Sequence, residues 1–198
     1  MARRMFSVLS FLTLVSAAAF AQTALPPEMK TVAEKAKAGD ANAQYEVGAR
    51  LQAMGKPDEA RPWYEKASAQ DHPLATSLLG YLYETGMGID KDIDKALSYY
   101  KKGVELGAPE SMWQMAMLHG EGKLGKADPM QRCVWILRTN KHVTMDHQML
   151  MGFSGREIAK MQKSMPAKEF ASCKEKAEAW TPGKLAAKDS KETKKEVK

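Results

Sequence analysis

The chain is poor in the residue patterns from which chemistry is usually built. Its four histidines, His72, His119, His142 and His147, are spread over 198 residues. No Ser or Cys stands in a nucleophile-elbow context, and no glycine-rich phosphate loop follows a strand pattern. The clustered acids Asp90, Asp92 and Asp94 fit a turn and a helix start. They lack the Asp/Asn spacing and the terminal bidentate Glu of a calcium loop. These absences leave no catalytic residues to name, no resident cofactor and no enzyme to expect. Beyond the first twenty residues no stretch is apolar enough to span a bilayer.

Charge of one sign is also missing from the interior of the chain. The formal charge is +6, but Arg3 and Arg4 supply two of those charges. The segment after Trp180 holds six lysines (Lys184, Lys188, Lys191, Lys194, Lys195, Lys198) against Asp189, Glu192 and Glu196. About one net positive charge remains for everything between. A nucleic-acid-binding protein needs a basic stripe on folded elements, so that partner class is not expected. Residues 181–198, low in apolar side chains and rich in Lys, Glu, Ser and Ala, have the composition of a disordered tail.

The N-terminus carries an address. Arg3 and Arg4 precede an apolar run from Met5 to Phe20, interrupted by Ser7, Ser10, Thr13 and Ser16, and the run ends in Ala19-Phe20-Ala21. This is the pattern of a secretory signal peptide over residues 1–21, cleaved after Ala21. The run is shorter than the ~20 apolar residues of a spanning helix. The expectation is therefore a periplasmic protein with no integral span after cleavage. In that compartment Cys133 and Cys173 face a choice. Thiols in oxidising surroundings often pair, and a bond would clip the C-terminal capping helix that carries Cys173 to the repeat helix that carries Cys133. The alternative is two buried thiols acting as small apolar groups.

What is present in abundance is internal repetition. Ala43–Leu51 aligns with Ala75–Tyr83 and with Ser111–His119, so that Gly48, Gly80 and Ala116 coincide. Glu59–Ala67 aligns with Lys95–Gly103, and Trp135-Ile136 falls 36 residues after Tyr99-Tyr100. Each unit reads as a helix with small residues, a turn, and a second helix with an alanine and an aromatic pair. The units span about 41–72, 73–108 and 109–140. Residues 29–40 look like the second half of a preceding unit. Pro62, inside the second helix of unit one, should kink that helix or delay its start. After the repeats, Ser154-Gly155-Arg156-Glu157 fits a capping box, which starts a helix at Ser154. Pro166 sits at the first position of another, with Phe170, Cys173, Ala177 and Trp180 on one face. Residues 141–180 then cap the stack. The fold class is all-α, a short α/α solenoid of helical hairpins with a C-terminal capping helix pair.

Three stretches, Ala43-Gln44-Tyr45-x-Val47-Gly48, Leu79-Gly80-x-Leu82-Tyr83-Glu84-x-Gly86-x-Gly88-Ile89 and Asp94-Lys95-Ala96-Leu97-x-Tyr99-Tyr100-Lys101-Lys102, resemble the Sel1-like repeat family, itself tetratricopeptide-like. Unit two is the close match. Unit one has a shortened turn, and unit three departs from the pattern after Gly122. The resemblance covers roughly residues 29–140. It implies a module for protein–protein interaction, an adaptor or regulator in the envelope, or an immunity-type inhibitor of a secreted effector such as a phospholipase. Some exported members of the family are linked to β-lactam binding or hydrolysis, but no serine β-lactamase motif is present here.

By analogy with tetratricopeptide spacing, the first helices line a concave, partner-binding face. It would carry Asn42, Tyr45, Ala49 and Gln52 from unit one, Ser77, Tyr81 and Glu84 from unit two, and Trp113, Met117 and Glu121 from unit three. Tyr81 and Trp113 are the natural anchors, unless such aromatics pack between units. A second candidate is the run His142-x-x-Met145-x-His147-x-Met149-x-Met151. Its thioethers and imidazoles would suit Cu(I), although methionine is also a common filler of helical cores.

Overall fold

The computed structural model describes residues 27–182. The expected signal peptide and all but the first two residues of the Lys-rich tail lie outside them. Among the described residues every regular element is helical: α1 (Pro27–Lys37), α2 (Ala41–Ala53), α3 (Pro57–Ala69), α4 (Pro73–Thr85), α5 (Ile93–Glu105), α6 (Pro109–Gly120), α7 (Pro129–His142), a 3₁₀ turn (Met145–His147), α8 (Gln148–Ser164) and α9 (Ala167–Glu178). Each helix packs on its sequence neighbours, so α2/α3, α4/α5 and α6/α7 form three hairpins stacked side by side. Helix α1 completes the near end as half a hairpin.

Local chemistry sets the boundaries. Four helices begin on a side chain that accepts a free backbone N–H of the first turn: Asp40 from Ala43, His72 Nδ1 from Ala75, Asp92 from Lys95 and Asp128 from Gln131. Proline occupies the first helical position of α3, α4, α6 and α7, where its missing N–H has no intrahelical role. Helix α4 stops at Gly86, which adopts φ 75°. Two residues later Gly88 also has positive φ, and a Cβ there would stand 2.6 Å from the Asp58 backbone nitrogen. The turn of unit two thus lies directly on the start of α3, a contact only glycine permits.

Inside each hairpin one interaction recurs. A Cβ at Gly48 would lie 2.6 Å from the Tyr64 ring, and one at Gly80 would lie 2.6 Å from the Tyr100 ring. The glycine is the socket, and the second-helix tyrosine is the knob. Each tyrosine hydroxyl then donates to the residue four positions after the socket, Tyr64 to Gln52 Oε1 and Tyr100 to Glu84 Oε2, both at 2.8 Å. Both tyrosines are fully buried, as are Ala60 and Ala96. The first members of the aromatic pairs, Trp63 and Tyr99, remain half-buried. In the third hairpin Ala116 replaces the glycine and Ile136 stands where the tyrosine was, both fully buried. Between hairpins, Gly103 leaves room for Ser77 and Ser111, whose hydroxyls hydrogen-bond at 2.6 Å.

Three expectations need correction. Pro62 does not delay its helix: α3 starts at Pro57 and runs through it, because Pro57 is already a good first residue and Pro62 removes only one N–H donor. Ser154 does not begin a helix. Helix α8 starts six residues earlier at Gln148, and Ser154 is buried within it, donating to Asn140 Oδ1 and Met151 O. Glu157, the other half of the expected capping box, instead ion-pairs with Arg132 at 2.6 Å and fastens α8 to α7. Pro166 is the residue before α9 rather than its first.

The capping pair is held from several sides. Cys133 and Cys173 are joined by a disulfide between α7 and α9, both fully buried. Phe170, Cys173, Ala177 and Trp180 share the inward face, as their spacing required. Trp180 meets Trp135 edge-on, and the Arg138 guanidinium lies 4.6 and 4.9 Å from the two ring centres. Burial pushes the pKa of that guanidinium down to about 10.

Candidate binding groove

The first helices of the hairpins, α2, α4 and α6, form one side of the stack, and the side chains expected there divide into two sets. Gln52, Ser77 and Glu84 are absorbed by the fold. Gln52 accepts the Tyr64 hydroxyl. Ser77 is 4% exposed and bonded to Ser111. Glu84 is 8% exposed and bonded to Tyr100 and to Lys123. Neither of the last two offers surface to a partner. Burial and the Glu84 carboxylate hold the Tyr100 hydroxyl far above the ordinary tyrosine range. Hydrogen bonds to Glu121 and Glu84 likewise hold the Lys123 ammonium in its charged form.

The second set reaches the surface. Asn42 is exposed in the first turn of α2, Ala49 and Tyr81 are half-buried, and Glu121 is exposed, paired with Lys123 at 2.7 Å. Met117 packs against the core from a half-buried position. Tyr45 stacks on His72 with ring centres 4.8 Å apart and planes within 17°. Its hydroxyl pKa is raised by burial and by the charges of Glu110 and Glu46. Glu110, in the first turn of α6, therefore lies within electrostatic reach of unit one.

From Glu110 onward the surface deepens. Glu110, Trp113 and Gln114 of α6 face Met145, Asp146 and His147 of the 3₁₀ turn and Gln148, Met149, Leu150 and Phe153 of α8 across a groove of about 510 Å³. Trp113 and Phe153 form its aromatic base, with ring centres 6.3 Å apart. Met145, Met149 and Phe153 are 72%, 81% and 48% exposed, although burial would be the default for side chains of this kind. The imidazole of His147 fixes the near wall. Its Nδ1 lies 2.8 Å from the Thr144 hydroxyl and also accepts the Thr144 N–H, while Nε2 is 3.2 Å from Glu110 Oε1. The carboxylate of α6 is thereby tied to the turn that precedes α8.

The sequence reading found Trp113 but missed Glu110, Gln114 and Phe153. The signal for Phe153 was available: Met145, Met149 and Phe153 stand four residues apart, one face of a helix. Starting that helix at Ser154 concealed it. The structure also divides the His/Met run. Met145, His147 and Met149 line the groove. His142 turns away, its ring 5.5 Å from Trp180 and its Nδ1 bonded to Arg138 O, and Met151 is half-buried. Among the described residues no three His, Cys, Asp or Glu side chains gather as a metal site. No Ser, Cys, Thr or Lys lines the groove. What it offers is apolar surface with acids beside it.

Known proteins share this architecture. The family model for the Sel1 repeat matches residues 41–72, 73–107 and 109–134. A stretch of 63 residues is 32% identical to chitin synthase regulatory factor 3 of Schizosaccharomyces pombe, covering 32% of this chain and 7% of that protein. Among solved structures, a protective antigen of uropathogenic Escherichia coli strains, which displays an SLR fold, superposes with a TM-score of 0.60 at 21% identity. That match covers 75% of this chain and 31% of the antigen. A Sel1 repeat protein from Oxalobacter formigenes gives a TM-score of 0.53 at 22% identity, over 70% of this chain and 56% of that one. The chain thus spans less than two thirds of each of these relatives, and the two structures share its helical-hairpin fold.

Proposed function

From a chain that carries three Sel1 repeats in series over residues 41–134, we propose an exported, non-enzymatic binding protein. Its first-helix face and the groove at its end grip a single dedicated polypeptide. Sel1 repeats are in general modules of protein–protein interaction, and a small stack buries only one modest surface. The observation that carries the reading is the exposure of Met145, Met149 and Phe153 beside Trp113 in one groove. An apolar cluster left open on a folded surface is characteristic of an interaction site. The finer role is that of an envelope adaptor or regulator, or of an inhibitor that neutralises a secreted effector. In either role the protein works in the periplasm after cleavage behind Ala21.

Affinity capture from the native envelope fraction tests the interaction. A defined polypeptide retained by the wild-type chain and lost by Trp113→Ala/Phe153→Ala supports it. Equal retention by that variant assigns the contact elsewhere and overturns the groove reading. N-terminal sequencing of the mature protein tests export: a first residue of Gln22 is expected, and an intact Met1 in the cytoplasmic fraction would refute it.

A further inference from the structure

Resting on that interaction reading, we propose that the groove takes a basic peptide segment of the partner with an apolar anchor, a lysine- or arginine-flanked stretch whose large side chain seats between Trp113 and Met149. Residues 27–182 hold 22 lysines and arginines against 21 acids, yet no lysine or arginine stands among the residues that line the groove. Glu110 and Asp146 do line it. Arg156 lies beside the lining residue Phe153 and is engaged there, its guanidinium 4.8 Å from the centre of the ring. Acidic groups with no cation among their groove neighbours select a partner segment of positive charge and steer it on approach.

The apolar part defines the rest of the ligand. Met145 and Met149 are unbranched thioethers held out in solvent. Such side chains adapt to the shape of an apolar anchor, whereas a rigid wall demands one shape. The faces of Trp113 and Phe153 add a second use for a cation, because an aromatic ring attracts an ammonium or guanidinium placed over it. The Arg156–Phe153 contact is an example already within the protein. An acidic peptide would meet Glu110 and Asp146 with like charge, and a purely apolar one would leave both carboxylates facing a dry interface. A basic segment with one large apolar residue meets neither cost.

Two synthetic peptides of identical apolar pattern, one with lysines and one with glutamates at the charged positions, are titrated against the mature protein by calorimetry and by tryptophan emission. The lysine peptide is expected to bind saturably and at least tenfold more tightly than the glutamate peptide. Glu110→Gln/Asp146→Asn should weaken the lysine peptide about tenfold and Met149→Gln by a similar factor. Circular dichroism should be unchanged, since Asp146 and Met149 are exposed. Equal binding of the two peptides, no saturable binding of the lysine peptide, or indifference to these substitutions overturns the proposal. So does tenfold tighter binding after truncation behind Pro182, which would give the groove to the chain's own lysine-rich C-terminus. A captured partner that ignores the three groove substitutions ends this proposal and leaves the interaction reading standing. A lysine peptide that binds when no partner is captured does the reverse.

Discussion

Replacing Gly80 with alanine sets two effects against each other, and the structure decides between them. In an exposed helix interior the change stabilises by about 0.5–1 kcal/mol, since alanine loses less backbone freedom on folding. At Gly80 the new Cβ would stand 2.6 Å from Tyr100 Cε1 and 2.7 Å from Cδ1, closer than carbon atoms approach without repulsion. The ring has no easy retreat. Tyr100 is fully buried, and its hydroxyl is bonded to Glu84, which is itself buried and bonded to Lys123. Overpacking of this kind costs about 1–3 kcal/mol. The upper end, about 3 kcal/mol, applies where the crowded group is anchored, so the net loss is about 2 kcal/mol. For a domain of this size that lowers Tm by roughly 4–8 °C. Gly155 is the control: it lies within α8, and an added Cβ would touch nothing within 4 Å. Thermal denaturation of both variants should move in opposite directions, Gly80→Ala down and Gly155→Ala up by about 0.5–1 kcal/mol. Adding Tyr100→Leu to Gly80→Ala should cost less than the two single losses combined, because the clash is gone. A Gly80→Ala protein as stable as the parent would refute the socket-and-knob account of the repeat.

Removing the Cys133–Cys173 bond, which closes a separation of 40 residues, should cost about 4 kcal/mol in the chain-entropy model. Guanidinium midpoints for Cys133→Ala/Cys173→Ala measure it, and two thiols labelled in the denatured, unreduced parent would show that no bond exists. Burial lowers the pKa of His72 and of His119, so the unfolded chain takes up these protons first. Their contribution is complete above about pH 6.5 and is lost as pH falls through the lower folded values. His72→Asn, which keeps a helix-capping oxygen, should flatten the stability profile below pH 6.5, and an unchanged slope counts against the assignment. Arg132 lowers the pKa of Glu157, so that pair's stabilisation is present above the ordinary carboxylate range and disappears as pH falls through the folded value. Glu157→Gln should cost about 1 kcal/mol at pH 7 and nothing near pH 2, measured by denaturant titration at the two pH values.

Most of the hairpin architecture was legible in the order of residues because it is set by local rules repeated three times. Small residues at Gly48, Gly80 and Ala116, prolines at first helical positions and aspartates just before them are chemistry acting within a few residues. The tyrosine acceptors were legible too, had the four-residue step from Gly48 to Gln52 and from Gly80 to Glu84 been paired with Tyr64 and Tyr100. Instead, tetratricopeptide spacing placed Gln52 and Glu84 on the binding face. The capping box at Ser154 failed for a different reason. Ser and Glu three residues apart have the same spelling at a helix start and inside a helix, and only the partners Asn140 and Arg132 distinguish the two cases.

The groove belongs to tertiary structure. By residue type Met145, Met149 and Phe153 suit a core, yet the assembled fold leaves all three exposed along the groove. Glu110 joins them from more than thirty positions away through His147. Periodicity states which residues share a helix face, and so the sequence by itself determined an all-helical repeat with a capping pair. It does not state what that face meets, because that depends on the angle at which the cap is fastened by Cys133–Cys173 and Arg132–Glu157. Whether an apolar face is covered or left open is a property of the assembled chain.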